Sequence, residues 1–188
     1  GRIDFTVIFC AEREPDRYWD LERFQFKSVV LREHFLTRKG RYIHNNFDVL
    51  GQLKAIDPDV VITDGFNPTH LYAFLYAWRH GRKHIYATDG TVASERDLSV
   101  IHRWLRHIVF RRGAAFIGAS EGSLDLYRSY GQANARLFKS HLCIDNERFR
   151  DARGQPKNYD QLLCGRLTQK KQPLFAIDVP ERAAGFLG

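Results

Sequence analysis

The chain has 188 residues, 29 Lys and Arg against 22 Asp and Glu, and a net charge of +7. At about 100–200 residues per domain this length holds one full α/β domain with room for the start of a second, and it excludes a large two-domain enzyme. With 44% hydrophobic and 27% charged residues the composition excludes a disordered or collagen-like chain, and no apolar run reaches the roughly 18–20 residues of a membrane span.

The first residues lack the pattern of a secretory signal, so the expected compartment is the cytoplasm. Cys10, Cys143 and Cys164 are far apart and form no CxxC pair, which argues against a disulfide framework and against a zinc site. Cys10 and Cys164 sit in apolar runs and are expected to be buried packing residues. The chain contains no methionine. That points either to a fragment of a longer protein or to methionines lost from the written sequence.

In chain order, Asp4 to Cys10 and Phe26 to Leu31 read as strands. Asn46 to Ile56 spaces Phe47, Leu50, Leu53 and Ile56 as one helical face, ended by Asp57-Pro58. Val60 to Thr63 is a short apolar strand, and Asn67-Pro68 supplies a cap and first-turn proline for a helix whose apolar face is Leu71, Phe74, Leu75 and Trp78 and which stops at Gly81. His84 to Ala87 is a strand, Val100 to Phe110 a helix, and Ala115 to Ala119 a strand. Ser120 caps a helix ended by Gly131, and Arg136 to Ser140 is a further short strand. Strands alternating with helices predict an α/β fold, a Rossmann-like doubly wound, mainly parallel sheet over residues 1–150. Polar residues 151–160 read as a linker, and an apolar strand at Gln161 to Cys164 opens a second α/β domain over 161–188 that is cut short.

Thr63-Asp64-Gly65 and Thr88-Asp89-Gly90 each follow an apolar strand, which places two carboxylates at the carboxyl ends of successive strands, where open α/β sheets bind ligands. Taken singly, either Asp-Gly is also an ordinary turn. Gly165-Arg166-Leu167 and Lys171 put two cations between a strand and a helix start, a loop suited to a diphosphate or, equally, to a solvated basic turn.

The segment LLCGRLTQKKQP resembles the opening of the donor domain in GT-B glycosyltransferases of the large retaining group-1 family, with its Gly-Arg-Leu and a lysine six residues past the glycine. Ile144, Asp145 and Phe149 also match that family's pre-linker signature, and the likeness runs from about Asp57 onward. The resemblance implies that Arg166 and Lys171 bind the diphosphate of a nucleotide-diphosphate sugar. It further implies transfer of a hexosyl group to a glycan or lipid-linked acceptor, in polysaccharide or glycolipid synthesis. The family's acceptor-side histidines are replaced here by Asp64 and Asp89, and its paired donor-domain glutamates lie beyond the chain, so the 188 residues alone are expected to be inactive.

Fixed cations at a leaving diphosphate carry most of such a reaction. Asp64 and Asp89 are the catalytic candidates, to orient acceptor hydroxyls or serve as a base, with Glu95 and Glu121 as further acceptor-side candidates. For Glu121 a first-turn glutamate favoured by the helix dipole is the plainer account. The 100–110 helix carries Val100, Ile101, Trp104, Leu105, Ile108 and Val109 on one side and Arg103, Arg106, His107, Arg111 and Arg112 on or beyond the other. Arg103, Trp104, Arg106, Arg111 and Arg112 are candidate contacts to an anionic membrane surface, which would place the protein peripherally on the inner face of a membrane; a core helix with a solvated basic face is the alternative. No metal and no cofactor are expected, since the histidines show no HxH or HExxH spacing. The competing readings are a GT-B-fold sugar-nucleotide epimerase and a basic nucleic-acid-binding module. The second is disfavoured because the charge is spread along the chain without a recognised motif. A dinucleotide-binding oxidoreductase is disfavoured by the lack of GxGxxG.

Overall fold

The computed structural model describes residues 3–13, 24–38, 41–96, 98–143, 146–147, 156, 163–165, 167 and 171–179. The chain divides into two compact units, Gly1–Leu142 and Cys143–Gly188. In the first, β1 (Thr6–Phe9) pairs in parallel with β2 (Lys27–Val30), and β3 (Phe35–Arg38) with β4 (Arg41–His44) in an antiparallel hairpin. Then follow α1 (Val49–Ile56), β5 (Val60–Thr63), α2 (Pro68–Arg79), β6 (Lys83–Thr88), α3 (Val100–Arg112), β7 (Ala115–Gly118), α4 (Glu121–Ser129) and β8 (Leu137–Lys139). Strands β5 to β8 form a four-stranded parallel sheet in sequence order, so the fold is α/β and compatible with a Rossmann-like arrangement.

The register aligns Val61 with His84, Thr63 with Tyr86, Tyr86 with Phe116 and Phe116 with Leu137 on one face of this sheet. Helices α2, α3 and α4 cover that face through Phe74, Val109, Phe110, Leu124 and Tyr127, packed on Tyr86 and Phe116. Phe110 is the hub: its ring centroid lies 5.2 Å from Tyr86, 5.4 Å from Tyr127 and 5.6 Å from Phe116. Fully burying one such ring contributes about 2–3 kcal/mol. On the other face Val60, Ile62 and Phe138 are 40%, 49% and 55% exposed.

Local signals set the helix ends. The Asn67 side chain accepts from His70 N–H at 3.0 Å and Pro68 occupies the first turn of α2. Gly81 (φ 64°) and Gly131 (φ 78°) close α2 and α4, with Arg82 N–H bonding Ala77 O and Gln132 N–H bonding Tyr127 O, the six-to-one closure that frees no carbonyl. A second cluster joins Val49 and Leu53 of α1, Val61 of β5, and Ala73, Tyr76 and Ala77 of α2.

One polar residue ties the leading strands to this body. Asn46 is 1% exposed; its Nδ2 donates to Cys10 O at 2.9 Å and Arg32 O at 2.5 Å. Its Oδ1 accepts from Thr69 Oγ1 at 2.9 Å, and its own N–H returns to that hydroxyl at 2.8 Å.

Several expectations need correction. The hairpin β3–β4 is not expected from the sequence, because its residues alternate weakly. Helix α1 begins at Val49, leaving Phe47 exposed with its ring 4.5 Å from Tyr72. Helix α2 buries Ala73, Phe74, Tyr76 and Ala77, while Leu75 and Trp78 face out, because two alanines let the helix lie close on Val61. Cys10 is half-buried and Cys164 is exposed. Leu163 and Cys164 are not in a strand, so the expected second-domain strand is not formed where it is described; Gln161 and Leu162 lie outside the described residues, as do 151–155 and 157–160 of the expected linker. Residues 173–179 are helical.

Two outcomes follow from this packing. Asn46→Ala deletes the side-chain hydrogen bonds to Cys10 O, Arg32 O and Thr69 Oγ1 and should lower unfolding free energy by about 2–4 kcal/mol in urea titration, with wild-type m-value. His84 is buried, touches Thr63 Oγ1 through Nε2 at 3.0 Å, and burial lowers its pKa to about 4. The unfolded chain, with an ordinary value near 6.5, therefore takes up this proton first. Stability from this group is full above about pH 6.5 and falls by up to about 3 kcal/mol as pH drops towards 4. His84→Gln should flatten that decline in urea midpoints measured across the range.

Candidate functional site

Because β5, β6 and β7 run in parallel, the loops leaving their carboxyl ends lie along one edge of the sheet. Asp64 leaves β5 and its side chain is 78% exposed. Its Oδ1 lies 3.4 Å from Nε2 of His70, which sits mostly buried on the first turn of α2. The imidazole is pressed so close to the backbone that a Cβ on Gly65 would fall 2.3 Å from His70 Nδ1, so only glycine fits there. Burial lowers the His70 pKa, Asp64 opposes that, and His44, at the end of β4, reinforces it. The pair at neutral pH is therefore an exposed carboxylate backed by a neutral ring.

Asp89 leaves the neighbouring strand β6 and is exposed; the turn is fixed by Gly90 N–H donating to Thr88 Oγ1 at 3.0 Å. Tyr86, within β6, is 4% exposed. Burial pushes its phenol up, Arg106 draws it down, and Asp64, Glu95 and Asp89 each push it further up.

Glu95, in a short 3-10 turn (Ala93–Glu95), points back into the protein. It receives Arg106 Nε at 2.5 Å and Tyr130 Oη at 2.9 Å, with the Glu95 and Arg106 side chains only 14% and 13% exposed. Arg106 also stacks on the Phe66 ring at 4.3 Å. Burial and the Glu95 carboxylate push Tyr130 up to about 12. The expectation that Arg106 joins a basic outer face is corrected: the pairing with Glu95 turns it inward, and Glu95 becomes a brace that links the β6 loop to α3 and α4. Glu121, at the start of α4, is drawn to Arg128 at 2.7 Å and Lys139 at 3.7 Å.

Lys171 is described and exposed in the second unit; Arg166 lies outside the described residues. Among the described residues no group of three His, Cys, Asp or Glu side chains is placed to hold a metal ion, and no helix is long and apolar enough to cross a membrane. His70, His44 and Tyr86 do not stand out in the sequence. The available signal was His70 six residues beyond Asp64, on the first turn of a helix whose cap is legible.

The brace predicts a contrast. Glu95→Gln strands a largely buried guanidinium and should cost about 2 kcal/mol in urea unfolding, below the 3–5 of a fully buried pair. Glu121→Gln, on the surface, should cost less than about 0.5 kcal/mol. No protein-family model matches the chain, and no curated protein or solved structure shows significant similarity to it.

Proposed function

We propose that this chain carries the acceptor-binding half of a nucleotide-sugar-dependent glycosyltransferase of the doubly wound GT-B kind, followed by the opening of its donor-binding half. The observation that carries the reading is the Asp64–His70 pair at the carboxyl edge of the parallel sheet. Glycosyl transfer to a hydroxyl needs a group that orients the acceptor oxygen and a place for its proton. Asp64 is exposed enough to accept a hydrogen bond from an acceptor hydroxyl and to take up its proton as the new glycosidic bond forms, with His70 3.4 Å behind it. Asp89 offers a second acceptor-side contact from the adjacent strand. The Gly165-Arg166-Leu167 segment with Lys171 supports a sugar nucleotide as donor: two cations would balance the charge that the leaving diphosphate develops. The acceptor would be a glycan or lipid-linked sugar.

Isothermal titration of the complete enzyme with a panel of nucleoside-diphosphate sugars tests the donor side. Binding of one member, lost in Arg166→Ala and kept in Asp64→Asn, supports the reading; no binding by any member, or undiminished affinity in Arg166→Ala, sinks it. In the complete enzyme Asp64→Asn should lower kcat by about 100-fold or more with little change in donor KM.

A further inference from the structure

We propose that the outward face of α3 docks on the surface of an anionic lipid bilayer. Phe110 fills the space between Tyr86, Phe116 and Tyr127, and Arg106 turns in to Glu95, so α3 presents Val109, Phe110 and Arg106 to the body of the protein. The apolar residues of its first turns are turned out: Val100 is 81% exposed, Ile101 69% and Trp104 61%. Spaced at 100, 104 and 111, Val100, Trp104 and Arg111 form one stripe along the helix, while Ile108 packs against the core.

The charge beside that stripe is one-sided. Helix α3 contains no Asp or Glu, and among the described residues Arg106 is the cation of α3 that forms an ion pair. Arg111, Arg112 and Arg136 line an open depression of about 730 Å³ together with Trp104, His107 and Ile108. Arg112 lies 4.4 Å over the ring of Trp78, itself exposed, so a second indole adjoins the same cations. Exposed aliphatics, two indoles and unbalanced guanidinium groups on one face match the boundary between acyl chains and anionic head groups. A polynucleotide would satisfy the arginines and leave Val100 and Ile101 in water, so the bilayer is the occupant that uses the whole face. This inference stands apart from the transferase reading, because it needs neither a donor nor catalysis.

Co-sedimentation of the 188-residue chain with vesicles of phosphatidylcholine alone, and of phosphatidylcholine mixed with phosphatidylglycerol, provides the test. The expected result is binding to the mixed vesicles only, weakening as salt rises. Trp104→Ala and Arg111→Glu, both on exposed positions, should each weaken it about tenfold or more, whereas Lys54→Glu on α1, with the same change of charge as Arg111→Glu, should be near wild type. Thermal melting of each variant checks that the fold is kept. Failure to bind, equal binding to neutral vesicles, or equal loss in Lys54→Glu and Arg111→Glu overturns the proposal.

Discussion

The amide of Asn46 is the constraint on which the arrangement of the first unit depends. Strands β1 and β2 form a sheet of their own, and β3 and β4 another. Nothing in the ladder of β5 to β8 reaches them. Asn46 closes that gap from a buried position: two donors for the carbonyls that follow β1 and β2, one acceptor for the first turn of α2, and its own N–H returned to Thr69. Each group is matched once, so the network is satisfied in one geometry and penalised in any other. Thr69 precedes His70, and His44 stands two residues before Asn46, so the same network sets the surroundings of the imidazole.

Around this clasp the edge of the sheet is organised by burial more than by ion pairing. His70 and His84 are both held neutral by loss of solvent, and Tyr86, Tyr127 and Tyr130 are all pushed up by it. The charges that do enter, Glu95 and Arg106, are bonded to each other and to neighbours on separate elements. Asp64 and Asp89 are left at the solvent side of this scaffold.

Much of the fold is legible in the sequence because its signals are local. The cap at Asn67-Pro68, the cap at Ser120, the closing glycines 81 and 131, and the β-branched run Val60 to Thr63 each act within a few residues. What is not legible depends on partners distant in sequence. The periodicity of α2 and α3 reveals an apolar side, but which residues turn inward is decided by Ala73 and Ala77 against Val61, and by Phe110 against the rings of β6, β7 and α4. The candidate site divides the same way. Asp64 and Asp89 stand out from their position after strands, whereas His70 becomes meaningful only when the turn folds it back over Gly65. Glu95 reads as a free acid until Arg106 and Tyr130 meet it.

The sequence-ordered sheet also bears on how the chain reaches its structure. Each ladder joins consecutive strands, Val60 to Lys83, Ile85 to Ala115 and Phe116 to Leu137, so every closure spans one helix and its two turns. The entropy of closing loops of this size is modest, so one strand–helix unit can be added to the last. Emerging from a ribosome, β5 to β8 can zip in the order they are made. The longest-range hydrogen bond at the clasp, from Asn46 to Cys10, instead awaits a helix that follows it in the chain. The leading strands would thus dock late, onto a sheet already begun, and would be the first to part from it when the protein opens.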